Sequence, residues 1–249
     1  MRILALVRTV VESVWLPVQR ARLSLFGERR LARALDGRPC PIAESIERSR
    51  REMLNNRSPL ADGTLGPVST YDDNRTVADA CAVSRRATSA SVLYSLASEY
   101  RSKSILELGT NVGISSAYLA AAGGNVTTLD MSPYRLRLAE QLHRSLGLQI
   151  RRVQGLFSET LANTLEQIAP VDLAFIDGHH QYRPTLEYFE AIAAKAAPGC
   201  VFLFDDIRWS SGMRKAWIKL RRDPRFETVA DLGGMGMAIL ASRNENRPG

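Results

Sequence analysis

The sequence predicts an α/β protein, a three-layer sandwich around a mostly parallel sheet with a helical extension in front of it. Three observations carry that prediction. Between residues 104 and 221 short apolar runs alternate five times with helix-length amphipathic stretches, as βαβ units require. The alternation then stops. Runs 226–230 and 237–241 are strand-like, and the Asp-Leu-Gly-Gly-Met-Gly between them is too short for a helix, so they form an antiparallel return. Finally, the first strand runs into Ile-Leu-Glu-Leu-Gly-Thr-Asn-Val-Gly (105–113) and the second ends on Asp130, which brings two acids and two glycines to one edge.

Taken in order, strand 104–108 leads to helix 113–122, and strand 125–130 to helix 133–146. Strand 149–153 precedes helix 158–168, strand 171–176 precedes helix 184–196, and strand 200–205 precedes helix 211–221. Parallel strands joined this way need right-handed crossovers. Upstream, Val77, Ala80, Val83, Ala87, Leu93, Leu96, Ala97 and Tyr100 suit helix within 76–100, covering the first strand. His143 falls in mid-helix and reads as a surface residue. Residues 55–75 are rich in breakers and read as a loop. Residues 2–20 carry an apolar stripe through Val7, Val11, Val14, Trp15 and Val18, with Pro17 set to kink or end the helix. The expected organisation is a basic amphipathic helical extension over 1–60 and the α/β domain over 61–249.

Composition bounds the function classes. At 249 residues with 45% hydrophobic and 24% charged content, the chain is ordinary for a globular protein. No apolar run reaches a membrane span. Cys40, Cys81 and Cys200 are widely spaced, which argues against a disulfide framework or a zinc site and suits a reducing, cytoplasmic compartment. The net charge of +7 is lopsided, since residues 1–51 hold eleven arginines against five acids. Such a segment can meet an anionic partner, lie at a membrane surface, dock on the domain or a second subunit, or be a solvated face. It does not read as a signal peptide, because Arg8 and Glu12 interrupt the apolar run and no cleavage site follows.

The edge where the acids and glycines meet reads as a nucleoside site. Gly109 permits a tight turn, Gly113 opens a helix whose unpaired N–H groups face the crevice, and Asp130 stands where such folds grip ribose hydroxyls. Packing alone could also explain the glycines. The spacing Glu-x-Gly-x-x-x-Gly departs from the dinucleotide fingerprint. Glu107 would repel a pyrophosphate but suits a ligand with an ammonium and a sulfonium. This segment resembles motif I of class I S-adenosylmethionine (SAM)-dependent methyltransferases, whose Rossmann-like sheet has the order 3-2-1-4-5-7-6 and ends in such a hairpin.

A second constellation extends the resemblance. The fourth strand ends Phe-Ile-Asp-Gly-His-His-Gln-Tyr (175–182) and the fifth Phe-Leu-Phe-Asp-Asp-Ile (202–207). Three carboxylates in one crevice repel unless they share a cation, and oxygen ligands suit a hard ion such as magnesium. Asp-Gly-x-His-x-Tyr with the acidic pair is similar to the catechol-type O-methyltransferases and their bacterial relatives, across about residues 76–241. That resemblance implies a site made of Glu107, Gly109, Thr110, Asn111, Gly113, Asp130, Met131, Leu156, Phe157 and Asp177 around SAM. It implies Asp177 and His180 as catalytic residues, and Asp177, Asp205 and Asp206 as ligands of Mg2+ or a similar divalent ion. Where the catechol-type enzymes have Asn, this chain has Asp206. His180 could equally cap a helix or support a neighbour, and Asp205 and Asp206 could cap a helix or bond Arg208 or backbone. The function implied is O-methylation of a small-molecule hydroxyl. The alternatives are a non-catalytic nucleoside-binding or assembly protein and a nucleic-acid methyltransferase. Asp-Gly-His-His at the fourth strand argues against the last of these, since enzymes acting on base or amide nitrogens often carry an Asn/Asp-Pro-Pro-aromatic signature there.

Overall fold

The computed structural model describes residues 29–35, 38–60 and 76–242; the apolar stripe of 2–20 and most of the breaker-rich loop lie outside them. Among the described residues one seven-stranded sheet has the order β3-β2-β1-β4-β5-β7-β6. Its strands are β1 (Ser104–Leu108), β2 (Asn125–Asp130), β3 (Arg151–Gln154), β4 (Val171–Ile176), β5 (Ala196–Phe204), β6 (Phe226–Asp231) and β7 (Gly236–Leu240). The first five pair in parallel, and β7 runs antiparallel to both β5 and β6. The glycine-rich link between β6 and β7 leaves no room for a crossover helix, so the chain must turn back.

Before β1 come α1 (Arg29–Leu35), α2 (Ala43–Asn55), α3 (Val77–Ala82) and α4 (Ala87–Glu99). The crossovers are α5 (Ile114–Ala120), α6 (Pro133–Ser145), α7 (Phe157–Ile168) and α8 (Tyr182–Ala193), with α9 (Ser211–Leu220) leading to the hairpin. Ile105, Leu173, Phe175, Val201 and Leu203 pack one sheet face against α1 and α4. Leu106, Leu108, Ala174, Phe202 and Phe204 pack the other against α7, α8 and α9. Strands covered on both faces must be apolar at nearly every position, which is why β1, β4 and β5 read as continuous apolar runs.

Three local expectations change. The helix expected within 76–100 is two helices. Thr76 and Asp79 form a capping box that starts α3. The turn after it is held elsewhere, because Asn111 Nδ2 donates to Ala80 O at 2.8 Å and to Ser84 Oγ at 3.2 Å. Strand β5 begins at Ala196 rather than 200: Ala196 pairs with Val171, and after an irregularity the register resumes with Val201 opposite Leu173. His143 is fully buried, not at the surface. It follows Leu136 and Ala139 at helical spacing, so α6 turns it inward with them.

The basic stretch before the domain is partly spent on the fold. Leu31 and Ala34 join the core beneath the sheet. Arg33 and Arg38 both pair with Glu99, and Arg30 donates to Glu99 O and lies over the Tyr100 ring. Cations at the carboxyl end of α4 complement its dipole.

Candidate functional site

Side chains alternate faces along a strand. Ile105, Val126, Phe175 and Leu203 share one core, so two residues further along Glu107, Thr128, Asp177 and Asp205 point to that same side, with Asp130 following Thr128. The ladder continues past the strand ends. Asp177 N donates to Leu108 O at 2.8 Å, and Asp205 N to Ile176 O at 2.9 Å. The acids therefore collect at the carboxyl edge, where β1 and β4 are neighbours and the chain order runs outward in both directions. Such a switch point leaves a crevice between diverging loops.

On the β1–β2 side the loop after β1 is built around two glycines. Gly109 has φ +103°, and a Cβ there would stand 2.1 Å from Asp177 O. Gly113 has φ +85°, and a Cβ would meet His143 Nε2 at 2.6 Å. Asp130 ties the loop down: Oδ2 accepts from Asn111 N and Oδ1 from Ser132 N, both at 2.9 Å. His143 lies beneath, its Nε2 3.0 Å from Gly113 O. Burial lowers its pKa to about 4, partly offset by that carbonyl, so the neutral ring donates from Nε2. Glu107 is fully buried, with Oε2 accepting from Thr128 Oγ1 at 2.6 Å. Burial raises its pKa to about 7 against the pull of the Ser115, Thr128 and Ser116 hydroxyls. Its Oε1 has no hydrogen bond of normal geometry.

The β4–β5 side is built differently. Asp177 has a partly exposed side chain (27%), and His180 Nε2 lies 3.6 Å from its Oδ1 behind it at 4%. His180 O accepts from Ser210 Oγ at 2.7 Å, which anchors the loop to the start of α9. His179 Nδ1 shares a hydrogen bond of 2.6 Å with Tyr188 OH, and both rings border Phe157. Asp205 is buried in an ion pair with Arg85, each side chain 2% exposed. Arg208, one of the expected partners for these acids, pairs with Asp231.

The structure thus sorts the predicted residues. Gly109, Asn111, Gly113, Asp130 and Asp177 stand together around the crevice, with Met131 following Asp130 and Leu156–Phe157 opening α7 after β3. Thr110 and Glu107 are buried beneath the loop, so their side chains support it rather than line it. Asn111 presents backbone to the crevice edge while its side chain latches α3. Among the described residues no three acids, histidines or cysteines gather as a metal-holding group. Asp205 is committed to Arg85, and Asp206 sits at φ +51° on a turn closed by Trp209 N. Asp177, Asp205 and Asp206 therefore do not fit a divalent ion as arranged. For SAM the fit is better. The buried acid with an orphaned oxygen suits a cationic group, and the helix N-terminus after the glycine loop suits a carboxylate; SAM carries both. Sequence reasoning missed His143 and Arg85. The 136–139–143 spacing marks His143 as inward-facing, whereas nothing local separates Arg85 from a surface arginine.

This sheet order and crevice define the class I methyltransferase fold. Residues 106–207 match the family model described as a methyltransferase domain. A catechol O-methyltransferase from Niastella koreensis is 31% identical over 118 residues, covering 45% of this chain and 52% of that one. The chain thus spans about half the length of that relative. Two solved structures share the fold. The O-methyltransferase from Bacillus cereus in complex with SAH (S-adenosylhomocysteine) has TM-score 0.55 and 22% identity, over 80% of this chain and 90% of that one. TomG from Streptomyces achromogenes, solved with SAM, has TM-score 0.54 and 23% identity, over 64% and 82%. Residues 106–207 are thus similar to a methyltransferase domain.

Proposed function

We propose that the protein is a SAM-dependent O-methyltransferase acting on a small-molecule hydroxyl. The observation that carries this is the Gly109–Gly113 loop, clamped by Asp130 and underlain by Glu107, whose Oε1 has no hydrogen bond. SAM, when bound, supplies an activated methyl on a sulfonium. Asp130, at the carboxyl end of β2, would hold the ribose. Leu156 and Phe157 would flank the adenine, and Glu107 would answer the positive charge from below the loop. The names of the catechol and B. cereus relatives support a hydroxyl acceptor.

The chain's own chemistry is alignment and proton handling. Holding two reactants in line is worth about 7–11 kcal/mol of barrier. Asp177 is the partly exposed member of the Asp177–His180 pair and would contact the acceptor hydroxyl. His180 behind it would orient the carboxylate and take up charge. For the described part of the basic segment, the use of Arg30, Arg33 and Arg38 on Glu99 and Tyr100 favours docking onto the domain over a membrane or nucleic acid. No helix among the described residues is long and apolar enough to cross a membrane. The three buried free thiols suit a cytoplasmic setting.

Calorimetric titration with SAM and SAH tests the donor half. Radiolabel transfer from SAM, with catechol as the first acceptor probed, tests the acceptor half. Absence of SAM and SAH binding would sink the proposal, and binding without transfer to any hydroxyl acceptor would sink its acceptor half.

A further inference from the structure

We propose that a guanidinium, rather than a divalent cation, balances the acidic end of β4 and β5, and that Arg85 is the positioning residue that fixes Asp205 beside Asp177. The proposal builds on the methyltransferase reading above. Pairing of Ile176 with Phe204 makes Asp177 and Asp205 the next neighbours on adjacent parallel strands. Their backbones are roughly 4.8 Å apart, and both side chains point to the same face. Two carboxylates so placed repel unless a cation stands with them. Arg85 supplies it from the α3–α4 turn, 120 positions before Asp205 in the chain.

The arginine is built in rather than draped over the surface. Its guanidinium carbon sits 5.8 Å from the centre of the Phe175 ring. The turn that carries it is pinned at one side by the Thr76–Asp79 capping box and at the other by Asn111, which bonds Ala80 O and Ser84 Oγ. Asp205 Oδ1 also accepts from Asp206 N, so the carboxylate is oriented by backbone as well as by charge. Along the edge the order is His180, Asp177, Asp205, Arg85, two acids between two basic groups. A magnesium-type ion demands near-octahedral oxygen ligands. To enter, it would have to expel Arg85 and leave a buried guanidinium without its counter-ion, an arrangement strongly disfavoured. Proton removal from the acceptor then rests with Asp177 and His180.

Electron paramagnetic resonance of added Mn2+ tests this without relying on turnover. The wild-type chain, with SAH present, is expected to bind no stoichiometric Mn2+, and turnover is expected to be unchanged by EDTA. Arg85→Ala is expected to gain Mn2+ affinity by about tenfold or more as a carboxylate loses its cation, and Asp205→Asn added to it should remove the gain. Arg85→Lys, which keeps a charge, should gain none. Stoichiometric wild-type Mn2+ binding that Asp205→Asn abolishes would overturn the proposal. So would an Arg85→Ala chain that keeps wild-type SAH affinity yet gains no Mn2+ binding. The wild-type titration decides the matter even if the variants misfold. Loss of SAM binding altogether would count against the methyltransferase reading and not against Arg85.

Discussion

The two halves of the carboxyl edge handle negative charge in opposite ways. At β1–β2, Glu107 and Asp130 are met by neutral donors: the Thr128 hydroxyl and the backbone N–H groups of Asn111 and Ser132. At β4–β5, Asp177 and Asp205 are met by basic side chains, His180 and Arg85. In the first half Glu107 Oε1 is left without a hydrogen bond, and the proposed SAM would bring its positive charge there. The second half holds Asp205 with a guanidinium of its own. Under the proposed function, one sheet edge thus separates a binding half from a reactive half. Charges left uncompensated by the fold are where a ligand contributes most.

The largest expected effect tests the reactive half. Asp177→Asn should lower kcat by about a hundredfold or more, the usual worth of a positioned base, with SAM affinity nearly unchanged in titration. A SAM affinity that falls in step with kcat would erase the distinction between the halves.

Glu107→Gln should do the reverse. Removing the charge that answers the ligand should weaken SAM binding by about tenfold or more in calorimetry. The same change should stabilise the ligand-free chain at pH 7.5 by up to about 3 kcal/mol in urea unfolding, because the buried carboxylate no longer has to ionise. Its raised pKa means the stabilising protonated form is fully available below about pH 4.5 and is lost as pH rises through about 7. SAM binding by the wild type should therefore strengthen as pH rises through 7, with proton release that disappears in the variant.

His143 titrates with the opposite sign. Its folded pKa near 4 means its contribution is present above about pH 6.5 and is lost as pH falls through 4, at most about 3 kcal/mol. In the wild type the two groups offset each other between about pH 4.5 and 6.5. His143→Gln should unmask the Glu107 slope in that window, which urea unfolding at stepped pH would show. A flat profile in the variant would mean that the binding half is not strained by its acid.

The smallest effect belongs to a region outside both halves. Glu99→Gln removes the acid shared by Arg33 and Arg38, two largely exposed cations, and should cost about 1 kcal/mol or less in the same assay.

Legibility in the sequence followed the range of the interactions. The strand–helix alternation, the closing hairpin and the glycine loop are readable because each is set by residues a few positions apart. So are Asp130 and Asp177, whose place at a strand end follows from the strand itself. His143 was legible in principle through its spacing from Leu136 and Ala139, but a histidine in a polar helix looks like surface until the neighbouring loop is seen. The helix expected within 76–100 is present, but its division in two was not legible, because Asn111 and Asp205, from beyond β1 and β5, hold the turn between the halves. Local propensity contains no trace of them.

By itself the sequence determined the alternation of strands and helices, the closing hairpin and the glycine loop, because periodicity, glycine geometry and strand ends are local physics; the sheet order and the donor followed from the resemblance those motifs carry. Only the tertiary structure decided how the acids are paid. It placed Glu107 under the loop instead of in it, turned His143 inward, and delivered Arg85 across 120 positions to Asp205. The cation that neutralises a buried carboxylate is chosen by proximity in space, and a chain's order does not encode that distance.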